Sequence, residues 1–403
     1  MNSNPRIVRE NDRWEGQRGA ALIMTLLVST LLLIAGGALI LTTSMSAGLA
    51  IDSTAELQAY YSAEAGINAS LNVLRGNIQS SPTGTSATFR NAVNNPTLST
   101  WLSYTGTINS TSVVSLSTSP TMGYTVAISD PDNTPSGTQP DRVLVRVTGY
   151  GPKASVKRME LVINRHIFDY SALSTILMRG NDDNTTTLAS INMGSSNAKE
   201  YSGYDHANPS SSIPVFGVTH AADFALTTYE VAHSKPDTIT GVDKVKQFGN
   251  SALPSFLQTA DNARAFLNIM QATAAGSGRY FTGAPSSFGS SSNPQLTFVD
   301  GDCALGDGAG LLIVTGKLTG NGNVGFKGLI MVLGNGVFTR NGGGNGNTYG
   351  AIVIAKFSRT SGGFLSPTYD MNGGGNSDTA YDSSEVDKAL NAAGISTKAV
   401  REY

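Results

Sequence analysis

Hydrophobic positions change their period three times along the chain. From Gln17 to Asp52 the sequence reads QRGAALIMTLLVSTLLLIAGGALILTTSMSAGLAID, with no charge between Arg18 and Asp52. An apolar run of about 18 or more residues can cross the hydrocarbon core of a bilayer as a helix, so this segment predicts a membrane-embedded helix. Immediately downstream, Leu57, Tyr60, Glu64, Ile67, Leu71, Leu74 and Ile78 recur at spacings of three and four. That spacing predicts one stripe of an amphipathic helix. No proline stands between Pro5 and Pro82, so both segments can form one rod. At about 1.5 Å per residue the rod is roughly 80–90 Å long from Ala20 to Arg75. Glu64 breaks the apolar stripe, which requires either water or a dedicated partner for its carboxylate.

After a polar segment, SSPTGTSATFRNAVNNPTLST, the period falls to two. Tyr124, Val126 and Ile128 alternate in one run, Val143, Val145 and Val147 in a second, and Met159, Leu161 and Ile163 in a third. Alternation with turn residues between the runs predicts an antiparallel sheet with one face on a helix and the other in water. Beyond Arg165 the pattern changes again. Leu311 to Thr315, Leu329 to Leu333 and Ala351 to Ala355 are apolar runs, each preceded by glycine, at a recurrence of about twenty residues, which predicts stacked solenoid coils. Ala263, Phe266, Leu267 and Met270 share a face of an intervening helix, Ala260 to Ala274. A sandwich with glycine-rich hairpins is the competing arrangement.

Charge sets the expected orientation. Arg6, Arg9, Arg13 and Arg18 precede the apolar run, whereas Asp52, Glu56 and Glu64 follow it. By the positive-inside bias, the N-terminus stays in the cytoplasm and everything from Asp52 onward is exported. The run is too long for the apolar region of a secretory signal peptide, and the small-residue site around Gly48 to Ala50 comes too late. Lys and Arg total 27 against 29 acidic residues, so no basic surplus argues for nucleic acid. The 45 glycines, with abundant Ser, Thr and Asn, suit a turn-rich β protein outside the cytoplasm.

Candidate chemistry is sparse. Cys303 is the sole cysteine, which excludes an intramolecular disulfide and reads as a small buried hydrophobe. Gly320 to Gly325, GNGNVG, matches the dinucleotide pattern but lies between strands rather than opening a helix, and so reads as a turn. His166, His206, His220 and His233 lack metal-ligand spacing. Asp300, Asp302 and Asp307 are candidate calcium ligands, although Leu305 stands where an EF-hand needs glycine; turn formation is the competing role. No carboxylate pair with catalytic spacing is evident, so neither an enzyme nor a cofactor is expected.

A basic leader ending Arg18-Gly19, then a small residue, then an apolar helix running into AYYSAEAGINASLNVL, resembles the type IV pilin architecture. It is most similar to the PilX N-terminal family of minor pilins and their pseudopilin relatives, across Arg18 to Arg75. The resemblance implies cleavage by a prepilin peptidase between Gly19 and Ala20, with methylation of the new amine. It implies lipid bilayer, other minor and major pilins and an inner-membrane assembly platform as partners. Met24, Gly36, Gly37, Tyr60 and Glu64 become candidate subunit-packing residues. Two departures matter. Major pilins usually carry glutamate at the fifth mature position, where this chain has Met24, and the leader is long and contains Glu10, Asp12 and Glu15.

The expected architecture is α+β: a long N-terminal pilin helix, transmembrane then amphipathic, packed on a small antiparallel sheet and followed by a mostly-β, solenoid-like domain. The expected divisions are 1–19 as leader, 20–76 as helix, 77–170 as sheet, 171–375 as solenoid-like domain and 376–403 as a short helix and tail. The expected role is a structural subunit of a type IV pilus or type II secretion-like filament, at its tip or in its initiation. The principal alternative is a permanently anchored envelope adhesin or carbohydrate-binding protein.

Overall fold

The computed structural model describes residues 12–75, 89–94, 106–108, 111–118, 121–183, 187–194, 199–234, 238–321, 323–341, 344–372 and 375–403. The chain is α+β and divides into two compact units. The first holds the described residues up to Thr138 together with 144–162 and 399–403; the second holds 139–143 and 163–398.

In the first unit a single helix, α1 (Asp12–Leu74), runs unbroken through Gly19, Gly36, Gly37 and the predicted junction with the amphipathic segment. The hydroxyls of Thr25, Ser29, Thr30, Thr42 and Thr43 donate to carbonyls three or four residues earlier. These polar atoms are therefore satisfied inside the helix and need no water, which is what an apolar environment demands.

A short helix, α2 (Phe89–Asn94), precedes strands β1 (Gly106–Ile108), β2 (Thr111–Thr118), β3 (Thr121–Ser129), β4 (Arg142–Tyr150) and β5 (Val156–Asn164). These lie in sequence order, and the C-terminal strand Ser396–Glu402 adds beside β5. The pairs from β1 to β4 are antiparallel. All nine apolar residues expected on the inner face, from Tyr124 to Ile163, are buried. Residues 80–88, part of the expected polar linker, lie outside the described residues.

The face that α1 turns to this sheet differs from expectation. Ile67, Leu71 and Leu74 are buried as the stripe predicts, but Leu57, Tyr60 and Glu64 are exposed, and Ile78 lies outside the described residues. Ala55, Ala59, Ser62, Ala63 and Gly66 take the inner positions instead. The physical reason is close backbone approach. A Cβ at Gly149 of β4 would collide with the Ala59 carbonyl oxygen and the Ala63 amide nitrogen, and one at Gly151 would lie 2.7 Å from the Ala55 carbonyl oxygen. A Cβ at Gly66 would lie 2.6 Å from Val147 Cγ1. Helix and sheet meet here through small residues on both sides, and Ser155 Oγ fixes the contact by donating to the Ala55 carbonyl at 2.8 Å.

In the second unit the chain alternates between two sheets. Gln295–Val299, Gly308–Val314, Phe326–Gly334 and Thr348–Phe357 pair in that order in one sheet, all parallel. Cys303–Ala304, Lys317–Asn321, Val337–Asn341 and Thr368–Asp370 pair in the other, also parallel. The three apolar runs recognised in the sequence thus lie side by side, with Leu311, Leu329 and Ala351 in one register row. Parallel pairing is not what joins the hairpins of a sandwich. An early segment closes the stack: Ile176–Arg179 pairs with Ile352–Ala355, and Ser190–Asn192 with Thr368–Asp370.

Both faces of the larger sheet are covered, so its strands read as continuous apolar runs rather than strict alternation. Leu312, Val314, Ile330, Val332, Ile352 and Ile354 point toward the second sheet with Phe216, Phe338 and Tyr369. Leu311, Ile313, Leu329, Met331, Ala351 and Val353 pack on the opposite side. There they meet helices that follow α3 (Ala221–Ser234) in the chain: α4 (Ser255–Gln258), α5 (Ala260–Gly276) and α6 (Ser383–Ala393). Ala263, Phe266, Leu267 and Met270 of α5 are buried as the spacing predicts. Within 376–403, α6 is the short helix expected there and buries Val386, Ala389 and Leu390 in this core, while 399–403 belongs to the first unit.

Candidate functional site

Two surfaces stand out once the fold is drawn. The first is α1 itself. From Gly19 it is long and apolar enough to cross a membrane, the one such helix among the described residues. Leu22, Met24, Leu33, Ile40 and Leu49 are each more than half exposed, on all sides of the helix. Gly19, Ala20, Gly36 and Gly37 are exposed with them, and a Cβ on any of the three glycines would meet nothing within 4 Å. Further along, where the helix lies on the sheet, Leu57, Tyr60 and Tyr61 remain 52%, 37% and 58% exposed. The two tyrosine rings form an edge-to-face pair with centroids 6.0 Å apart. Glu64 is exposed on this outer side, so its carboxylate reaches solvent and costs the stripe nothing.

The second surface is an open cleft of about 450 Å³ on the second unit, where Gly289, Ser290, Ser291 and Asp307 face Asn323, Lys327, Asn345, Asn347 and Tyr349. Of these residues the sequence singles out only Asp307, as a candidate calcium ligand, and Asn323 within the GNGNVG turn. The available signal was that Asn323 and Asn345, and likewise Lys327 and Tyr349, share the offset that separates the paired strands Phe326–Gly334 and Thr348–Phe357.

The remaining candidates are structural. Asp300 accepts from Thr315 Oγ1 at 2.7 Å and from the Tyr280 hydroxyl at 3.0 Å, and it pairs with Arg359. Asp302 accepts the Lys317 amide and Asp307 the Gly325 amide, each at 2.7 Å. Asp300 and Asp302 thus tie one turn to the turn stacked on it around 315–317, and Asp307 ties the following corner to Gly325. Among the described residues no group of three or more His, Cys, Asp or Glu side chains could hold a metal ion. Gly320 and Gly325 flank the corner between Lys317–Asn321 and Phe326–Gly334, with no helix following. Cys303 is buried, and burial pushes its thiol up to about 11, so it is protonated at neutral pH. Burial and the adjacent Arg165 push His166 below the usual imidazole range, and its Nε2 lies 3.1 Å from Asn391 Oδ1.

The geometry defines a two-unit protein with one helix long and apolar enough to cross a membrane. No family model matches the chain, and no curated protein matches its sequence. Among solved structures it is similar to the competence-associated pilin ComZ from Thermus thermophilus, at 12% identity and a TM-score of 0.21, covering 87% of this chain and 98% of that one. A likeness that weak fixes neither fold nor role.

Proposed function

We propose that this protein is a minor pilin or pseudopilin-like structural subunit, held in a membrane by α1 and then built through α1 into a filament. The observation that carries the reading is the division of α1. Its first half exposes apolar side chains all round, and its second half buries only small residues on the sheet along 55–66 while leaving Leu57, Tyr60 and Tyr61 outward. Lipid satisfies the first half before assembly; neighbouring helices of the same kind satisfy both halves afterwards. In this reading Gly19-Ala20 is the site of leader removal, the sheet and the second unit are exported, and the protein is a substrate of a peptidase rather than an enzyme. Mass spectrometry of the mature N-terminus tests it: a methylated Ala20 is expected, and an intact leader on the mature protein would leave a fixed anchor instead. Gly19→Val should block maturation without preventing membrane insertion.

Position within the filament follows from Met24. A fifth-residue carboxylate can neutralise a neighbour's terminal ammonium inside an apolar filament core, and a thioether cannot. An unpaired ammonium in such a core costs on the order of several kcal/mol, which disfavours repeated stacking along a shaft. We assign this subunit to the tip or to initiation. Immunogold labelling should therefore mark filament ends at low copy number, and regular labelling along shafts would refute the assignment. Met24→Glu should make incorporation along the shaft more permissive.

A further inference from the structure

We propose that the polar cleft on the second unit binds a neutral glycan. Lys327 and Tyr349 are register partners on adjacent parallel strands, so both side chains emerge on one face at a strand spacing of about 4.8 Å. Asn323 and Asn345 hold the corner ahead of them, with the Asn345 amide donating to Asn323 Oδ1 at 2.9 Å. Asp307 stands one coil further along, one of its oxygens taken by the Gly325 amide. Three successive coils thus present polar groups to one open cleft.

Two features make the arrangement suited to a sugar. The aromatic plate is fixed in advance: Asn347 Nδ2 donates to the Tyr349 hydroxyl at 3.0 Å, while Asn347 Oδ1 accepts the Asp378 amide at 3.0 Å. His206 lies against the same ring, with centroids 4.9 Å apart. Free donors and acceptors then surround that plate. The Lys327 ammonium, the second carboxylate oxygen of Asp307 and the Nδ2 of Asn323 have no partner among the described residues. A pyranose ring stacks its C–H face on an aromatic plate, and its vicinal hydroxyls both donate and accept, as this mixture of ammonium, carboxylate and amide requires. One aspartate and one lysine leave the lining without net charge, so a phosphate chain or other polyanion gains no attraction from it. The site needs neither leader removal nor assembly, and it stands whether or not the protein is a pilin.

The test uses the full-length chain in detergent micelles, applied to immobilised neutral hexose oligosaccharides, with dextran sulfate and single-stranded DNA as polyanions. Retention on at least one neutral oligosaccharide is expected, and it should persist at about 0.5 M salt because screening acts on charge attraction. Tyr349→Ala should weaken that binding about tenfold or more, whereas Tyr349→Phe, which keeps the ring, should retain most of it. Asn345→Ala removes an exposed side chain that makes no hydrogen bond among the described residues, so it reports on the cleft without threatening the fold. It should weaken binding as well. Failure to retain any neutral oligosaccharide would overturn the proposal. So would binding unmoved by Tyr349→Ala and Asn345→Ala, or binding confined to the polyanions and removed by salt.

Discussion

Gly149 decides how closely β4 can approach α1, because any side chain there would enter the helix backbone at Ala59 and Ala63. Gly149→Ala should therefore force the two apart and destabilise the first unit by about 1–3 kcal/mol, read as a lower urea midpoint. Glu160 is a second residue of consequence. Its carboxylate takes Arg146 Nε at 2.9 Å on one oxygen and Arg401 Nε at 2.9 Å on the other. The Arg146 hydrogen bond, supported by Arg401 and opposed by burial, holds this carboxyl below the usual glutamate range. A depressed carboxyl contributes stability that is present above its unfolded value, about 4.3, and is lost as pH falls through the lower folded value. The difference in urea midpoint between the native chain and Glu160→Gln should be open at neutral pH and should narrow below about pH 4. Cys303, buried and protonated, should resist iodoacetamide at about pH 8 in the folded protein and react on denaturation.

At the level of elements, the stacked strands share a column of glycines. Gly310, Gly328 and Gly350 are register partners with φ of +121°, +131° and +135°, and a Cβ on Gly328 or Gly350 would run into the carbonyl oxygen of the glycine in the preceding paired strand. The sequence displays these residues as the glycine before each apolar run. Their reason, a backbone conformation that L side chains rarely adopt, is visible only in three dimensions. Gly328→Ala should cost at least about 1–3 kcal/mol from backbone strain, and more from the collision, measurable as reduced thermal stability of the second unit. Gly36 and Gly37 behave oppositely. They sit in open space within α1, so alanine at both should strengthen the helix by about 1 kcal/mol each. If the helix must stretch there on leaving the bilayer, the double variant should enter filaments less well, as quantified by its share of purified filaments.

On the scale of the whole molecule, the chain returns at its end to the unit in which it began. Arg401 and Glu402 pair with Glu160 and Lys157, and the Tyr403 amide donates to the Arg158 carbonyl at 3.2 Å. Truncation after Lys398 should therefore speed hydrogen exchange in β5 while leaving the strands Gly308–Val314 and Phe326–Gly334 protected. Equal loss of protection in both units would mean that they unfold as one.

The apolar run from Ala20 to Ile51 is long enough to cross a bilayer as a helix, and the alternation from Tyr124 to Ile163 buries one face of a sheet. Local periodicity carries those two facts, so they were legible without the fold, as was the buried face of α5. The inward face of α1 was not. Leu57 and Tyr60 are more hydrophobic than Ala55, Ala59 and Ala63, so periodicity favours the larger residues, yet Gly149 of β4 and Gly151 just beyond it admit only the smaller ones. The pairing of Ile176–Arg179 with Ile352–Ala355, and the cleft that gathers Asp307, Asn323, Lys327 and Tyr349, were likewise settled only in space. Sequence periodicity records what each element must bury, whereas the choice of neighbour depends on steric fit between residues far apart in the chain.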